Sequence, residues 1–195
     1  MWNQKYDCDG YFYGTQPNQW LVMNRHRFAK SGSALAIADG EGRNGVYLAS
    51  LGLQTTSMDA SEVGVAKAAA LAKQQGVEMT TLHADLNEYQ PQPESMDVIA
   101  AIYAHLPALL RIKTHRACVA ALKPGGLFVL EAFHPNQLGR SSGGPGNLDL
   151  LYDVESIVDD LAGLKILEAQ SGLTWLDEGR HDGEGYVTRV VAQRA

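Results

Sequence analysis

Between Ala34 and Asp59 the chain places an apolar run, a glycine turn, a helical start and a second run closed by an acid, an order that few folds can accommodate. Ala34-Leu35-Ala36-Ile37-Ala38 reads as a strand and Asp39-Gly40-Glu41-Gly42 as the turn. Arg43-Asn44-Gly45-Val46-Tyr47-Leu48-Ala49 begins a helix, and Leu53 to Met58 is the next strand, ended by Asp59. Two glycines at spacing two let the backbone turn sharply and come close to a ligand, while unpaired N–H groups at a helix start favour an anion. A carboxylate at the tip of the following strand suits two adjacent ribose hydroxyls. The unit reads as the nucleotide-handling half of a Rossmann-like domain and implies an adenosine-type cofactor.

The rest of the chain continues the alternation. Ser61 caps a helix running to about Gln75, with Val65, Ala66, Ala69 and Ala72 at helical spacing and Gly76 at its end. A strand is expected from Val77 to about His83, and Pro91 and Pro93 mark a loop. Met96 to Tyr103 is almost continuously apolar, as in a strand buried on both faces of a parallel sheet. His105-Leu106-Pro107 opens a helix whose Leu110, Ala117, Cys118, Ala121 and Leu122 form one stripe. Lys123-Pro124-Gly125-Gly126 is expected to end it in a tight turn before a strand from Leu127 to Phe133. Beyond a Gly, Ser and Pro-rich stretch from His134 to Asn147, Asp153 to Leu161 reads as a short helix and Lys165 to about Trp175 as a strand. Asp182-Gly183-Glu184-Gly185 is expected to turn into a last strand, Tyr186 to Ala192. Two strands with no helix between them make an antiparallel hairpin at the end of a parallel sheet.

Composition narrows the function classes. A chain of 195 residues, 45% apolar, fills one core, and twenty glycines fit a loop-rich α/β protein better than a helical bundle. A net charge of −6 with scattered Lys and Arg argues against nucleic acid as a partner. Cys8 and Cys118 lie far apart, outside any metal or disulfide spacing, which points to a reducing cytoplasm. No run reaches the length of a membrane span, so no membrane partner is expected.

An ordered set of motifs then carries a family resemblance over essentially the whole chain. Beside Gly40-Glu41-Gly42-Arg43-Asn44 and Asp59-Ala60-Ser61 stand Tyr13-Gly14-Thr15-Gln16-Pro17-Asn18, Val63-Gly64-Val65-Ala66-Lys67-Ala68 and Ala84-Asp85-Leu86. Further along come His105-Leu106-Pro107, Leu122-Lys123-Pro124-Gly125-Gly126, Glu131-Ala132-Phe133, Gly143-Gly144-Pro145 and Glu178-Gly179-Arg180. The chain resembles class I S-adenosylmethionine-dependent methyltransferases, in particular the small bacterial branch that includes the tellurite-resistance methyltransferase. The resemblance implies an α/β, Rossmann-like doubly wound sheet of seven strands with the last antiparallel. It also implies one methyltransferase domain over residues 1–195, with 1–30 as an N-terminal lid and 134–147 as an acceptor-side loop. The cofactor would be S-adenosyl-L-methionine, with S-adenosyl-L-homocysteine as product, and the acceptor a small molecule.

The cofactor residues that follow from the resemblance are Ala38, Asp39, Gly40, Glu41, Gly42, Arg43, Asn44, Asp59, Ala60, Ala84, Asp85, Leu86 and Ile102, with Asp59 on the ribose and Asp85 on the adenine amino group. Two residues are candidates for the chemistry. His105, just past the fourth strand, either takes a proton from the acceptor or caps the helix that follows. Tyr13, with Tyr11, either forms an aromatic lid over the methyl donor or is simply part of an exposed N-terminal pair. Arg43 either meets the donor's carboxylate or pairs with Glu41, and Glu131 pairs with Arg180 or with a substrate cation. Cys118 belongs to the core.

Three departures stand beside these matches. Ala36 replaces an acid, Ala38 replaces a glycine, and Asp39 replaces a small residue. Alanine at 38 requires a φ that is negative or can become so. Asp39 or Glu41 is expected to stand in for the missing acid in part, and an Asp at position 36 is expected to tighten donor binding. A nicotinamide-dependent oxidoreductase and a non-catalytic S-adenosylmethionine binder are the alternatives, the first disfavoured by the terminal hairpin.

Overall fold

The structure, a computed structural model, describes residues 2–195. Seven strands form one sheet: β1 (Ser33–Ile37), β2 (Gln54–Asp59), β3 (Thr80–His83), β4 (Met96–Ile102), β5 (Leu122–Phe133), β6 (Leu164–Glu178) and β7 (His181–Arg194). Their order is β3-β2-β1-β4-β5-β7-β6, with β7 antiparallel to both of its neighbours. The α-helices are α1 (Trp2–Tyr6), α2 (Gln19–Met23), α3 (Arg43–Ser50), α4 (Glu62–Gln75), α5 (Ala108–Ala121) and α6 (Val154–Asp160). None of the described helices is long and apolar enough to cross a membrane.

Strand alternation divides the core between the two faces of the sheet. Leu35, Ile37, Ile99, Phe128 and Leu130 face one way, onto Cys118 and Ala121 of α5 and Ile157 of α6. Ala34, Ala36, Val98, Ala100 and Val129 face the other, onto Trp20 and Leu21 of α2 and Leu48 of α3. Both faces are covered, so the central strands are apolar without alternation in polarity, as β4 already suggests in sequence. Each large side chain fully buried here contributes about 1.5–3 kcal/mol relative to exposure.

Helix ends follow local chemistry closely. The Ser61 hydroxyl accepts from Gly64 N–H at 3.1 Å and starts α4, and Gly76, in the left-handed region at φ 67°, ends it. Asp153 caps α6 through Ser156 N–H at 2.7 Å. Helix α5, by contrast, begins at Ala108, not at His105, and its first turn has no side-chain cap. Its buried side also carries Arg111, Thr114 and His115, which the apolar stripe did not announce. Arg111 and His115 meet Asp160 of α6 at 2.7 and 2.9 Å.

Three strand boundaries differ from expectation for identifiable reasons. Strand β3 starts at Thr80 because Val77 N–H is spent on Ala72 C=O (3.0 Å) in closing α4. Pairing of β5 begins at Leu122 opposite Met96 and then slips, so Lys123 to Gly126 form an outward bulge within the strand and do not separate it from the helix. The expected turn Asp182–Gly185 lies inside β7, and the hairpin turns instead at Gly179-Arg180, between Glu178 and His181. Gly185 is a packing glycine: a Cβ there would sit 2.6 Å from Cδ1 of Leu176. The hairpin therefore extends beyond its pairing with β5, which stops at Phe133 opposite Val187, and carries its tip over the carboxyl edge of the sheet.

Candidate active site

The loop from β1 to α3 is a tight, strained turn. Ala38 adopts φ 48°, Gly40 φ 59° and Gly42 φ 87°. The expectation of a negative φ at Ala38 is overturned: an L-residue with a Cβ sits in the left-handed region, at a cost of about 1–2 kcal/mol. Gly42 lies against Ala68 of α4, where any side chain would collide. Of the N–H groups in the first turn of α3, that of Gly45 is taken by Asp39 Oδ2 (2.9 Å), while Arg43 and Asn44 border the cavity.

Neither proposed substitute for the missing acid is free. Asp39 turns behind the loop, where its Oδ2 accepts from Ser57 Oγ (2.7 Å) and Gly45 N–H (2.9 Å) and its Oδ1 is buried without a partner. Burial pushes its carboxyl up to about 6, against the opposing pull of those two hydrogen bonds. Glu41 is committed to the N-terminal segment, accepting from Phe12 N–H at 2.7 Å and pairing with Lys67 at 2.9 Å. Lys67 also donates to the carbonyls of Cys8 (2.9 Å) and Gly10 (2.8 Å). Ala36 does not border the cavity; it packs among Trp20, Leu21 and Ile102. The benefit expected from Asp at this position is therefore corrected, because its carboxylate would be buried in an apolar cluster.

Asp59 stands at the tip of β2. Its Oδ2 accepts from Gly40 N–H and its Oδ1 from Ser61 N–H, both at 2.8 Å, so the carboxylate braces the turn and the entry to α4 together. Burial raises its pKa, while the backbone N–H groups pull it down. Each oxygen keeps a further lone pair for a ligand hydroxyl. Asp85 is exposed, and its Oδ1 accepts from the backbone and side chain of Asn87, both at 2.8 Å, which lowers its pKa.

A cavity of about 510 Å³ opens above these residues. Of the residues named from the sequence, Ala38, Asp39, Glu41, Arg43, Asn44, Asp59, Ala60, Asp85, Leu86 and Ile102 border it; Gly40, Gly42 and Ala84 do not. Gly40 is covered by Tyr6, and Ala84 packs against the core. Trp2, Lys5, Tyr6, Tyr13 and Gly14 border it from the N-terminal side, and Gly144 to Asn147 from the loop after β5. Of the expected tyrosine pair only Tyr13 reaches the cavity; Tyr11 packs against Val46 and Leu71.

His105 borders the far end without capping α5. Its Nδ1 lies 2.6 Å from Leu150 C=O and Phe133 N–H lies 3.4 Å from its Nε2, so the ring is held as the Nδ1–H tautomer. Burial pulls its pKa down to about 4, leaving the ring uncharged at neutral pH. Beside it stands His181, at the start of β7, which was not among the expected site residues. Its pKa falls to about 3, through burial first and then the positive charge of Arg43. Tyr103, with φ 52°, follows β4, and its hydroxyl donates to Glu131 at 2.7 Å.

Glu131 does not meet Arg180, nor Arg43 Glu41. Glu131 pairs with Arg189 and accepts from Asn18 Nδ2 at 2.7 Å. Arg43 pairs with Glu178 at 2.7 Å, and Asn18 reaches Glu178 as well (3.1 Å) while its N–H donates to Asn44 at 2.9 Å. Arg180 lies over the ring of Phe12 at 4.8 Å. Asn18, Glu131, Glu178 and Arg189 come from the N-terminal segment, β5 and the hairpin, and nothing in local sequence pairs them.

Residues 34–126 match the family model described as a methyltransferase domain. No functionally curated protein matches the chain in sequence. Among solved structures, TehB from Haemophilus influenzae is similar, with a TM-score of 0.75 and 17% identity over 91% of this chain and 62% of its own. A protein whose structure describes conversion of a disulfide bond into a thioacetal group during echinomycin biosynthesis has a TM-score of 0.73 at 18% identity, over 92% and 83%. Magnesium protoporphyrin IX methyltransferase from Synechocystis PCC 6803, with bound SAH, has a TM-score of 0.66 at 18% identity, over 91% and 79%. At these identities the structural likeness establishes the class I fold.

Proposed function

We propose that the chain, whose residues 34–126 match the methyltransferase-domain model, is an S-adenosylmethionine-dependent enzyme that passes the donor's methyl group to a small-molecule acceptor by in-line displacement. The observation that carries this reading is one continuous cavity, bordered at one end by Asp59 and the start of α3 and at the other by Tyr13, His105 and the loop after β5. Bound there, S-adenosylmethionine supplies a methyl group already activated on a sulfonium. The protein's own part is to bind, align and exclude water, and alignment of reactants can lower a barrier by about 7–11 kcal/mol.

The N–H groups opening α3 would hold the donor's carboxylate, Asp59 its ribose hydroxyls, and Asp85 with Leu86 its adenine. Of the lid expected over residues 1–30, the part that would cover the donor is 2–18, since Trp20 and Leu21 pack into the core; residues 134–147 would form the acceptor-side cover, within a single domain. The reading of His105 as a proton acceptor is supported by its uncharged ring and by an Nε2 engaged only through a 3.4 Å contact. Two free cysteines suit a reducing, cytoplasmic setting. A second reading, a donor-binding protein without transferase activity, draws on the strained Ala38 and the apolar surroundings of Ala36.

Calorimetric titration with S-adenosylhomocysteine tests the proposal, and absence of binding refutes it together with the second reading. His105→Ala is expected to lower turnover at least tenfold with donor affinity little changed. Equal turnover by variant and parent would remove His105 from the chemistry.

A further inference from the structure

Between Ile102, where β4 ends, and Ala108, where α5 begins, the chain belongs to neither ladder nor helix. It leaves the strand through Tyr103 at φ 52°, a left-handed conformation that a side chain resists, and His105 N–H closes a tight turn on Tyr103 C=O at 3.0 Å. Ala104 is 4% exposed, so the peptide groups here need partners within the protein. One side chain supplies them. The Tyr152 hydroxyl accepts from Leu106 N–H and donates to Ala104 C=O at 2.8 Å, with Leu106 C=O at 3.2 Å as an alternative acceptor, and so grips the backbone on either side of His105. Burial raises the pKa of this hydroxyl and keeps its donating proton in place.

Tyr152 does not border the cavity, yet it is a fixed point behind it. It is buried, with its ring 5.4 Å from that of His105, centroid to centroid. Its N–H donates to Phe133 C=O at 2.9 Å, at the end of β5, and Thr188 Oγ1 of β7 donates to its C=O at 2.5 Å. Two residues earlier, Leu150 C=O accepts from His105 Nδ1 at 2.6 Å. Residues 150–152 therefore hold both the ring of His105 and the backbone beside it, from a stretch anchored to two strands. A neutral imidazole takes up a proton only at the nitrogen that has none, and which nitrogen that is depends on the hydrogen bond the other one makes. Leu150 C=O claims the Nδ1 proton and leaves a lone pair on Nε2, which Phe133 N–H approaches only to 3.4 Å, long for such a bond. Rotation of residues 104–106 would part Nδ1 from its carbonyl, and the tautomer would no longer be fixed.

We infer that Tyr152 is a positioning residue for methyl transfer: through the peptides on either side of His105 it keeps Nδ1 on Leu150 C=O and Nε2 available for the acceptor's proton. The inference rests on the methyl-transfer reading above, with His105 as proton acceptor. In the step it serves, the acceptor's lone pair bonds to the methyl carbon, the carbon–sulfur pair returns to the donor's sulfur, and the acceptor's proton passes to Nε2. Positive charge leaves the sulfur as it arrives on the imidazole, so the buried site carries one such charge before and after. Leu150 C=O then accepts from a charged ring, a stronger bond than the one it makes to the neutral ring.

Nitrogen NMR of the His105 ring tests this in the full chain saturated with S-adenosylhomocysteine at neutral pH, the signals being assigned by their loss in His105→Ala. The parent is expected to show a single form protonated at Nδ1. Tyr152→Phe keeps the aromatic ring and removes only the hydroxyl, and is expected to give a mixture of both tautomers, with S-adenosylhomocysteine affinity by calorimetry changed less than about threefold. Thr188→Val removes a hydroxyl bonded to the same tyrosine's C=O but not to the peptides beside His105, and is expected to leave the parent's form intact. A parent ring protonated at Nε2 overturns the proposal without any variant. So does a tautomer unmoved in Tyr152→Phe, or one moved equally in both variants, because the tyrosine would then serve the fold alone. In each of these cases donor binding stands. If S-adenosylhomocysteine does not bind the parent, the methyl-transfer reading itself fails.

Discussion

Asp39 makes the stability of this protein depend on pH in a direction opposite to that of most carboxylates. Its Oδ2 accepts two hydrogen bonds, but its Oδ1 is buried without a partner, and burial lifts the folded pKa from an ordinary 3.8 to about 6. A carboxyl with a raised folded pKa keeps its proton longer in the folded chain than in the unfolded one. Its contribution is therefore most favourable below pH 3.8 and declines as pH rises, levelling off above about 6. At 1.36 kcal/mol per pKa unit, that gap amounts to about 3 kcal/mol of stability missing at neutral pH. In Asp39→Asn the amide oxygen can keep both hydrogen bonds from Ser57 and Gly45, and the buried site no longer ionises. The variant is expected to gain on the parent by about 2.4 kcal/mol between pH 4 and pH 7. Urea unfolding of both proteins at half-unit pH intervals measures this difference directly. Parallel stability curves across that range would refute the argument, because they would mean that Asp39 ionises in the folded chain as easily as in the unfolded one.

Other perturbations follow from single contacts. Ala38→Gly removes a Cβ from a residue at φ 48° and is expected to stabilise the chain by about 1 kcal/mol, read as a higher thermal midpoint, with tighter S-adenosylhomocysteine binding by calorimetry. Asp160→Ala leaves Arg111 and His115 buried without their shared carboxylate, and a loss of about 3–5 kcal/mol is expected in denaturant unfolding. Glu41→Gln weakens the tie to Lys67 that fastens the N-terminal segment, so limited proteolysis should cleave before Asn18 faster than in the parent while the global unfolding midpoint moves little.

What could be read in advance was what neighbours in sequence decide. Ser61 and Gly76 bound α4 because a hydroxyl satisfies an N–H three residues on and a glycine accepts the left-handed exit. The run from Met96 is a buried strand because no polar face interrupts it, and the unbroken passage from β6 to β7 gives an antiparallel ending. Asp182–Gly185 shows where such reading stops. Its composition is that of a turn, yet Gly185 lies in a strand because Leu176, nine residues away, occupies the space of its missing side chain.

The order of strands and helices, the glycine turn and the acid at the tip of β2 were thus settled along the chain itself, since backbone conformation, capping and hydrophobic period act over a few residues. The furnishing of the site was decided only by the folded whole. Asn18, Glu131 and Glu178 meet across separations of more than one hundred residues, His181 enters the cavity because the hairpin turns at Gly179, and Glu41 and Asp39 are drawn off to other partners. A buried charge takes whatever counter-charge packing brings to it, and packing is a property of the whole sheet, not of any segment.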